Sequence, residues 1–346
     1  MKRNKLYKLS SLKSFFVPWY NAIITAVLTP LILITGFKLF NWLLVKGIWQ
    51  GDASLCRQSE GACLAFVKEK ARFILFGTYP DEQLYRPILV IILFVAGFIY
   101  ISDIKRWNKR LLLYMAIALV FIFWLMGGGF FLMPVDSSYW SGLPLTLILA
   151  FLAITISYPV GILLALGRQS HSRLLKGMSV AYIELIRGVP LISVLFMASV
   201  MLPLFLPEGL NINKLLRAVV ALTMFVAAYH AEVVRGGLAA VSHGQDEAAM
   251  ALGLTYFQRM RLIILPQALK AVIPPTINTT IGMFKDTSLV IVISLFDLMG
   301  TTKSSLTDSK WLGFSIEAYL FVALIYFIFC ISLSRIGSKL EKYKAT

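Results

Sequence analysis

Charge is scarce in this chain. Only 14% of its 346 residues are Asp, Glu, Lys or Arg, where a soluble domain carries about a quarter, so a core wrapped in a charged, water-facing shell is excluded. Acidic residues are the scarcer sign, 17 against 33 Lys and Arg. Three cysteines without a Cys-x-x-Cys pair, and three scattered histidines (His171, His230 and His243), argue against a zinc or other metal site. The dipeptide Gly-Lys does not occur, so there is no Walker-type phosphate loop and the chain is not itself a P-loop ATPase. Neither a Gly-rich dinucleotide loop nor an internal repeat is visible.

What fills the chain instead is apolar: 58% of the residues are hydrophobic, arranged in long runs that place it in a membrane. The runs predict eight helical spans, at about 20–45, 87–102, 111–133, 143–167, 178–206, 215–235, 276–299 and 316–334, hence an all-α polytopic protein. The second is short against the roughly 20 residues a span needs. The first is too long for a signal-peptide core and reads as an uncleaved helix; Lys38 within it must snorkel or face protein. With residues at span edges assigned to the neighbouring loop, one side of the membrane holds 20 basic residues and the other 10. The positive-inside rule then puts both termini in the cytoplasm and accounts for much of the +16 net charge, which in a soluble protein would suggest nucleic acid. Residues 46–86 form the longest polar stretch and fall outside. Cys56 and Cys63 lie there, and two readings stay open: a disulfide across a short loop, or two free thiols.

The stretch around which the rest is organised runs from Ser242 to Pro266, SHGQDEAAMALGLTYFQRMRLIILP. Ser242 with Gln245 reads as a capping box that starts a helix of good helix formers. Gly253 falls where a left-handed helix end is expected. Thr255 with Gln258 forms a second capping box, and Pro266 bounds the helix that follows. An ordinary helical hairpin or a DNA-binding helix-turn-helix would share this outline. A DNA reader needs its recognition helix free to enter a groove, and this hairpin is tethered to apolar spans on both sides.

Here the chain resembles the ABC importer permeases of the polar amino-acid family. Glu247, Ala248, Ala249, Gly253, Ile263, Leu265 and Pro266 match the full Glu-Ala-Ala loop of that family at its spacing. The resemblance continues in Tyr182–Pro190 (YIELIRGVP), Tyr229–Leu238 (YHAEVVRGGL), Pro266-Gln267-Ala268 and Lys285–Leu289 (KDTSL). It covers residues 142–340 and implies a five-helix type I importer core with a cytoplasmic coupling loop at 242–266. Residues 1–141 then form an extension of three spans and a periplasmic loop, a layout similar to the permeases of general L-amino-acid importers. The resemblance further implies a bacterial inner membrane, a second permease subunit, a dimer of ABC ATPases that carry the ATP and Mg, and a periplasmic amino-acid-binding protein. No cofactor is then expected on this chain, and no nucleic acid among its partners, which are an amino acid, the other subunits and membrane lipid.

Charges inside apolar helices call for partners. Glu184 and Arg187, and likewise Glu232 and Arg235, are one turn apart and share a helix face, which predicts structural ion pairs near the cytoplasmic side. Lys285 and Asp286 fall near mid-depth of the seventh span, followed by the hydroxyls of Thr287 and Ser288. Two readings stay open: a structural pair reaching neighbouring helices, or a substrate pathway in which Asp286 meets an ammonium while Lys285 turns toward protein. The rival to an importer subunit is a stand-alone secondary transporter of small polar solutes, which ordinarily shows an internal repeat and broken helices at mid-membrane. An integral membrane enzyme would need a catalytic constellation that the spans lack.

Overall fold

A computed structural model of the protein describes residues 15–103, 106–107, 110–207 and 212–345, without the side chains of 342–345. The basic tail 1–13, and Lys105 and Lys109, lie outside the described residues.

The described chain is helical. Fourteen helices are used below: α1 (Trp19–Phe40), α2 (Ala53–Gln58), α3 (Leu64–Phe76), α4 (Tyr85–Ile101), α5 (Arg110–Gly127), α6 (Gly142–Arg168), α7 (Arg173–Gly188), α8 (Leu191–Leu204), α9 (Lys214–Ala240), α10 (His243–Ala251), α11 (Tyr256–Ala271), α12 (Ile273–Ile293), α13 (Leu298–Ser305) and α14 (Ser315–Ala345). Among the described residues, five segments are long and apolar enough to cross a membrane: Trp19–Val45, Arg110–Gly127, Gly142–Arg168, Lys214–Ala240 and Ser315–Glu341. Two bent pairs, α7 with α8 and α11 with α12, raise the count to seven, and α4 is an apolar helix of 17 residues, shorter than the rest. The eight apolar runs of the sequence are all represented, two of them with altered ends and one sharply bent.

Each alteration has a local cause. The run at 178–206, which Gly188-Val189-Pro190 interrupts in the sequence, bends there by 105° between α7 and α8. Val189, ahead of Pro190, is driven into extended backbone, with φ −111° and ψ 136°. The run expected to reach 133 ends at Gly127, because Gly128, Gly129, Phe130 and Phe131 all take positive φ and reverse the chain. The run expected to reach 299 ends at Ile293, where Ser294 is left-handed at φ +57°. Pro274 and Pro275 sit in the first turn of α12, where a missing N–H costs nothing, and α11 meets α12 at 58°.

The described residues form two compact units, the smaller from 15–69 with 309–318 and the larger from the described residues of 70–308 with 319–345. In the smaller unit the polar stretch folds. Cys56 and Cys63 are joined by a disulfide. The Cys63 amide donates to Glu317 Oε1 at 3.0 Å, and Trp311 Nε1 donates to Glu69 Oε1 at 2.9 Å. Phe66, Trp311 and Phe314 pack ring against ring, 5.7–6.2 Å between centroids. No residue of α1 is buried, and Lys38 is exposed on its last turn.

In the larger unit α6 packs against α9. Ala153, Ser157, Gly161 and Ala165 recur every fourth residue on α6, and all are buried; small side chains let two helix backbones approach where no water drives them together. A Cβ on Gly161 would stand 2.6 Å from the Cβ of His230 on α9. His230 is fully buried, and its Nδ1 lies 3.1 Å from Ser157 Oγ.

Candidate functional site: a helical hairpin between two membrane segments

Between α9 and α12 the chain leaves the span and folds back on itself. α10 ends at Ala251, Gly253 takes φ +75°, and α11 begins at Tyr256. A Cβ on Gly253 would meet nothing within 4 Å, so the demand for glycine is one of backbone conformation, not of space. The Gly253 amide donates to the Met250 carbonyl at 2.9 Å and the Leu254 amide to the Ala249 carbonyl at 3.2 Å, closing the end of α10 as a left-handed cap does. Two residues on, the Thr255 amide donates to Gln258 Oε1 at 2.9 Å while the Gln258 amide donates to Thr255 Oγ1 at 3.4 Å, so the capping box at α11 is complete.

The first capping box is not. Ser242 stands at the N-cap of α10 but makes no side-chain cap bond. Gln245 instead accepts from Gln267 Nε2 at 3.2 Å, tying the start of α10 to the far end of α11. A second cross-link joins the helices, Arg259 Nε to Asp246 Oδ1 at 3.3 Å. Both long-range ties were invisible to local spacing; only their position on helices read as antiparallel neighbours could have suggested them.

The hairpin is anchored on one side and bare on the other. Ile264 and Ala268 of α11 pack with Ala165 of α6 and Val234 and Leu238 of α9. A Cβ on Gly237 would come within 2.3 Å of Val272 Cγ1, so α9 and the chain after α11 touch closely. Of the motif residues, Ala249 is buried, Ile263 and Leu265 are half-buried, and Glu247, Ala248 and Pro266 are exposed. Around them lie large apolar side chains in the open: Leu252 at 78% exposure and Phe257 at 67%, with Met250 and Tyr256 beside them. Exposed apolar side chains rimmed by polar residues are one mark of a protein-interaction site.

Where α6, α7 and α9 meet near the same end, half-buried and exposed charges join into one network. Arg168 at the end of α6 reaches Glu184 at 3.0 Å and Glu232 at 3.4 Å. Arg187 reaches Glu232 at 3.5 Å and lies over the Tyr229 ring at 5.7 Å, and Arg235 Nε donates to Glu232 at 2.8 Å. The expected Glu232–Arg235 pair is therefore present. The expected Glu184–Arg187 pairing is replaced: Glu184 turns to Arg168 of α6, which sequence spacing gave no reason to include, and Arg187 turns to Glu232 of α9. Three helices are fastened through two carboxylates.

Lys285 and Asp286 end the α-helical part of α12, which tightens to 3₁₀ geometry over Thr287–Ile293. Asp286 is half-buried and Lys285 exposed, the reverse of a lysine held among neighbouring helices. Thr287 is fully buried and its hydroxyl donates to the Phe284 carbonyl at 2.8 Å, so it does not line an open path. Ser288 is half-buried.

Comparison with known proteins bears on this arrangement. The family model described as "binding-protein-dependent transport system inner membrane component" matches residues 157–342, a stretch that contains the hairpin, the charge network and α12. The chain belongs to that family. The similarity extends through the N-terminal part as well. The chain is 44% identical over 333 residues to the inner membrane amino-acid ABC transporter permease protein YhdY of Escherichia coli (strain K12), covering 95% of this chain and 91% of that one. It is 38% identical to the glutamate/glutamine/aspartate/asparagine transport system permease protein BztC of Rhodobacter capsulatus, covering 87% and 85%. Among solved structures, the crystal structure of an amino acid ABC transporter with histidines matches with TM-score 0.53 and 37% identity, over 58% of this chain and 92% of that one. The protein is thus a membrane-embedded permease component of a transport complex with other subunits, and its fold is that of the type I importer permeases.

Proposed function

We propose that this chain forms half of the translocation pathway of an ATP-driven importer of amino acids. Its relatives carry amino-acid transport in their names over nearly the full length of the chain, which supports the substrate class. The observation that carries the mechanism is the hairpin α10–α11, turned at a left-handed Gly253, anchored on α6 and α9, and bare at Leu252 and Phe257.

In this reading the bare face, with Glu247, Ala248, Ala249, Gly253, Ile263, Leu265 and Pro266, docks a separate ATPase subunit that binds ATP and Mg. Movement of that subunit is passed through Ile264 and Ala268 to α6 and α9, and the Arg168–Glu184–Glu232 network keeps α6, α7 and α9 moving as one body. One chain supplies one wall of the path, so a second permease subunit completes it, and a periplasmic binding protein delivers the amino acid. Residues 142–340 form the transport core and 1–141 the extension, in a bacterial inner membrane with both termini cytoplasmic and the Cys56–Cys63 loop outside. Asp286, at the point where α12 changes geometry, faces the path and meets the substrate ammonium.

The test is uptake into proteoliposomes that hold the complex purified through this chain, with ATP inside or outside the vesicle as the orientation requires. Accumulation of amino acids that needs both ATP and the binding protein is the expected result. Accumulation driven by an ion gradient without ATP would overturn the reading in favour of a secondary transporter.

A further inference from the structure

We infer that α4 and α14 hold an anionic phospholipid in a groove between them, its phosphate on Arg335 and Lys339. The groove is a cavity of about 280 Å³. Phe98 of α4 and Phe329 of α14, with ring centroids 5.8 Å apart, are its floor. Ile328 and Ile336 continue the apolar wall along α14, and Arg335 and Lys339 close one end. On α14 the positions 328, 332, 335 and 339 share one helix face by their spacing, so the change from apolar to cationic happens along a single face as it nears the membrane boundary.

Two features select the occupant. The first is length. Helix α4 has 17 residues, about 26 Å at the helical rise, short of the roughly 30 Å hydrocarbon layer. Its neighbour α14 runs on to Ala345. Where α4 stops, the cationic turn of α14 is left facing lipid at headgroup depth. The second is charge. Arg335 and Lys339 are exposed and make no ion pair among the described residues. A zwitterionic headgroup brings its own cation to such a site; phosphatidylglycerol brings only the anion. The guanidinium fork suits two phosphate oxygens, the ammonium adds a point charge, and an acyl chain lies along Phe98 and Ile328. Basic pockets between spans on the cytoplasmic side bind anionic headgroups by this chemistry. The site is independent of the substrate carried, since no residue of the hairpin or of α12 lines it.

The experiment is native mass spectrometry of the protein, purified with the subunits that accompany it, after exposure to vesicles of phosphatidylglycerol or of phosphatidylcholine. The expected result is selective retention of phosphatidylglycerol, weakened about thirtyfold in the Arg335→Gln/Lys339→Gln double variant. Ile328→Trp, which fills the groove and leaves both cations, should lose the lipid too, whereas Arg335→Lys with Lys339→Arg should keep it. Inorganic phosphate at millimolar concentration should leave the lipid in place. Equal retention of both lipids, retention unchanged in the double variant and in Ile328→Trp, or displacement by inorganic phosphate would each overturn the assignment.

Discussion

Replacing Gly253 by valine should reduce ATP-dependent uptake at least tenfold while the protein still reaches the membrane in normal amount. The corner between α10 and α11 holds φ at +75°, a conformation that costs an L-residue roughly 1–2 kcal/mol and is a genuine outlier for a β-branched side chain. Nothing lies within 4 Å of where the new Cβ would go, so no core is disturbed. The strain is relieved by swinging φ to a negative value, which re-aims Leu254 and Thr255 and breaks the two amide bonds onto Met250 and Ala249. The exposed Leu252 and Phe257 then no longer present one surface. A graded series checks the cause. Gly253→Asn, which tolerates the left-handed region better than other residues, should retain most of the uptake, with Gly253→Ala between the two. Uptake, membrane abundance and recovery of the ATPase by pull-down are the readouts. Wild-type values in the valine variant would remove the corner from the coupling.

The second large effect is expected at Asp286. Asp286→Asn keeps the volume and removes the charge, and should lower uptake about tenfold or more, since a hydrogen bond to a charged group contributes about 1.5–3 kcal/mol. Assembly, and stimulation of ATP hydrolysis by the binding protein, should be unchanged. The exposure of Lys285 beside a half-buried Asp286 sharpens the test: Lys285→Met should affect uptake less than Asp286→Asn. Loss of assembly in Asp286→Asn would instead make this carboxylate a structural partner of a neighbouring helix, and unchanged uptake at limiting substrate would take it off the path.

The parts of this site that could be read from the sequence are those fixed by neighbours in the chain. The Thr255–Gln258 box and the left-handed Gly253 involve residues no more than five apart, and local rules decide them. The eight apolar runs were legible for the same reason, since hydropathy alone decides whether a segment leaves water. What escaped depends on partners far away. Gln245 abandons its cap because Gln267, 22 residues on, is within reach. Arg168 enters the ion-pair network from 16 and 64 residues before its partners. The polar stretch after α1 folds around Glu317 and Trp311, some 250 residues away, so no window along the chain could show that it would. The pair Val189-Pro190 marks where α7 stops but not the 105° by which α8 departs; packing against α9 and α12 sets that angle, and sequence periodicity does not carry it.

In the proposed mechanism the bare tip of the α10–α11 hairpin seats an ATPase. Leu252, at 78% exposure and next to Gly253, is the position from which to ask. A cysteine placed there, in a chain whose Cys330 has been replaced, can be loaded with a short photoactivatable crosslinker in membranes from cells that transport actively. One dominant adduct is expected, to a protein that carries a Gly-x-x-x-x-Gly-Lys phosphate loop, with a yield that changes when ATP is added. An adduct with the periplasmic binding protein, or none at all while uptake continues at its normal rate, would contradict the mechanism.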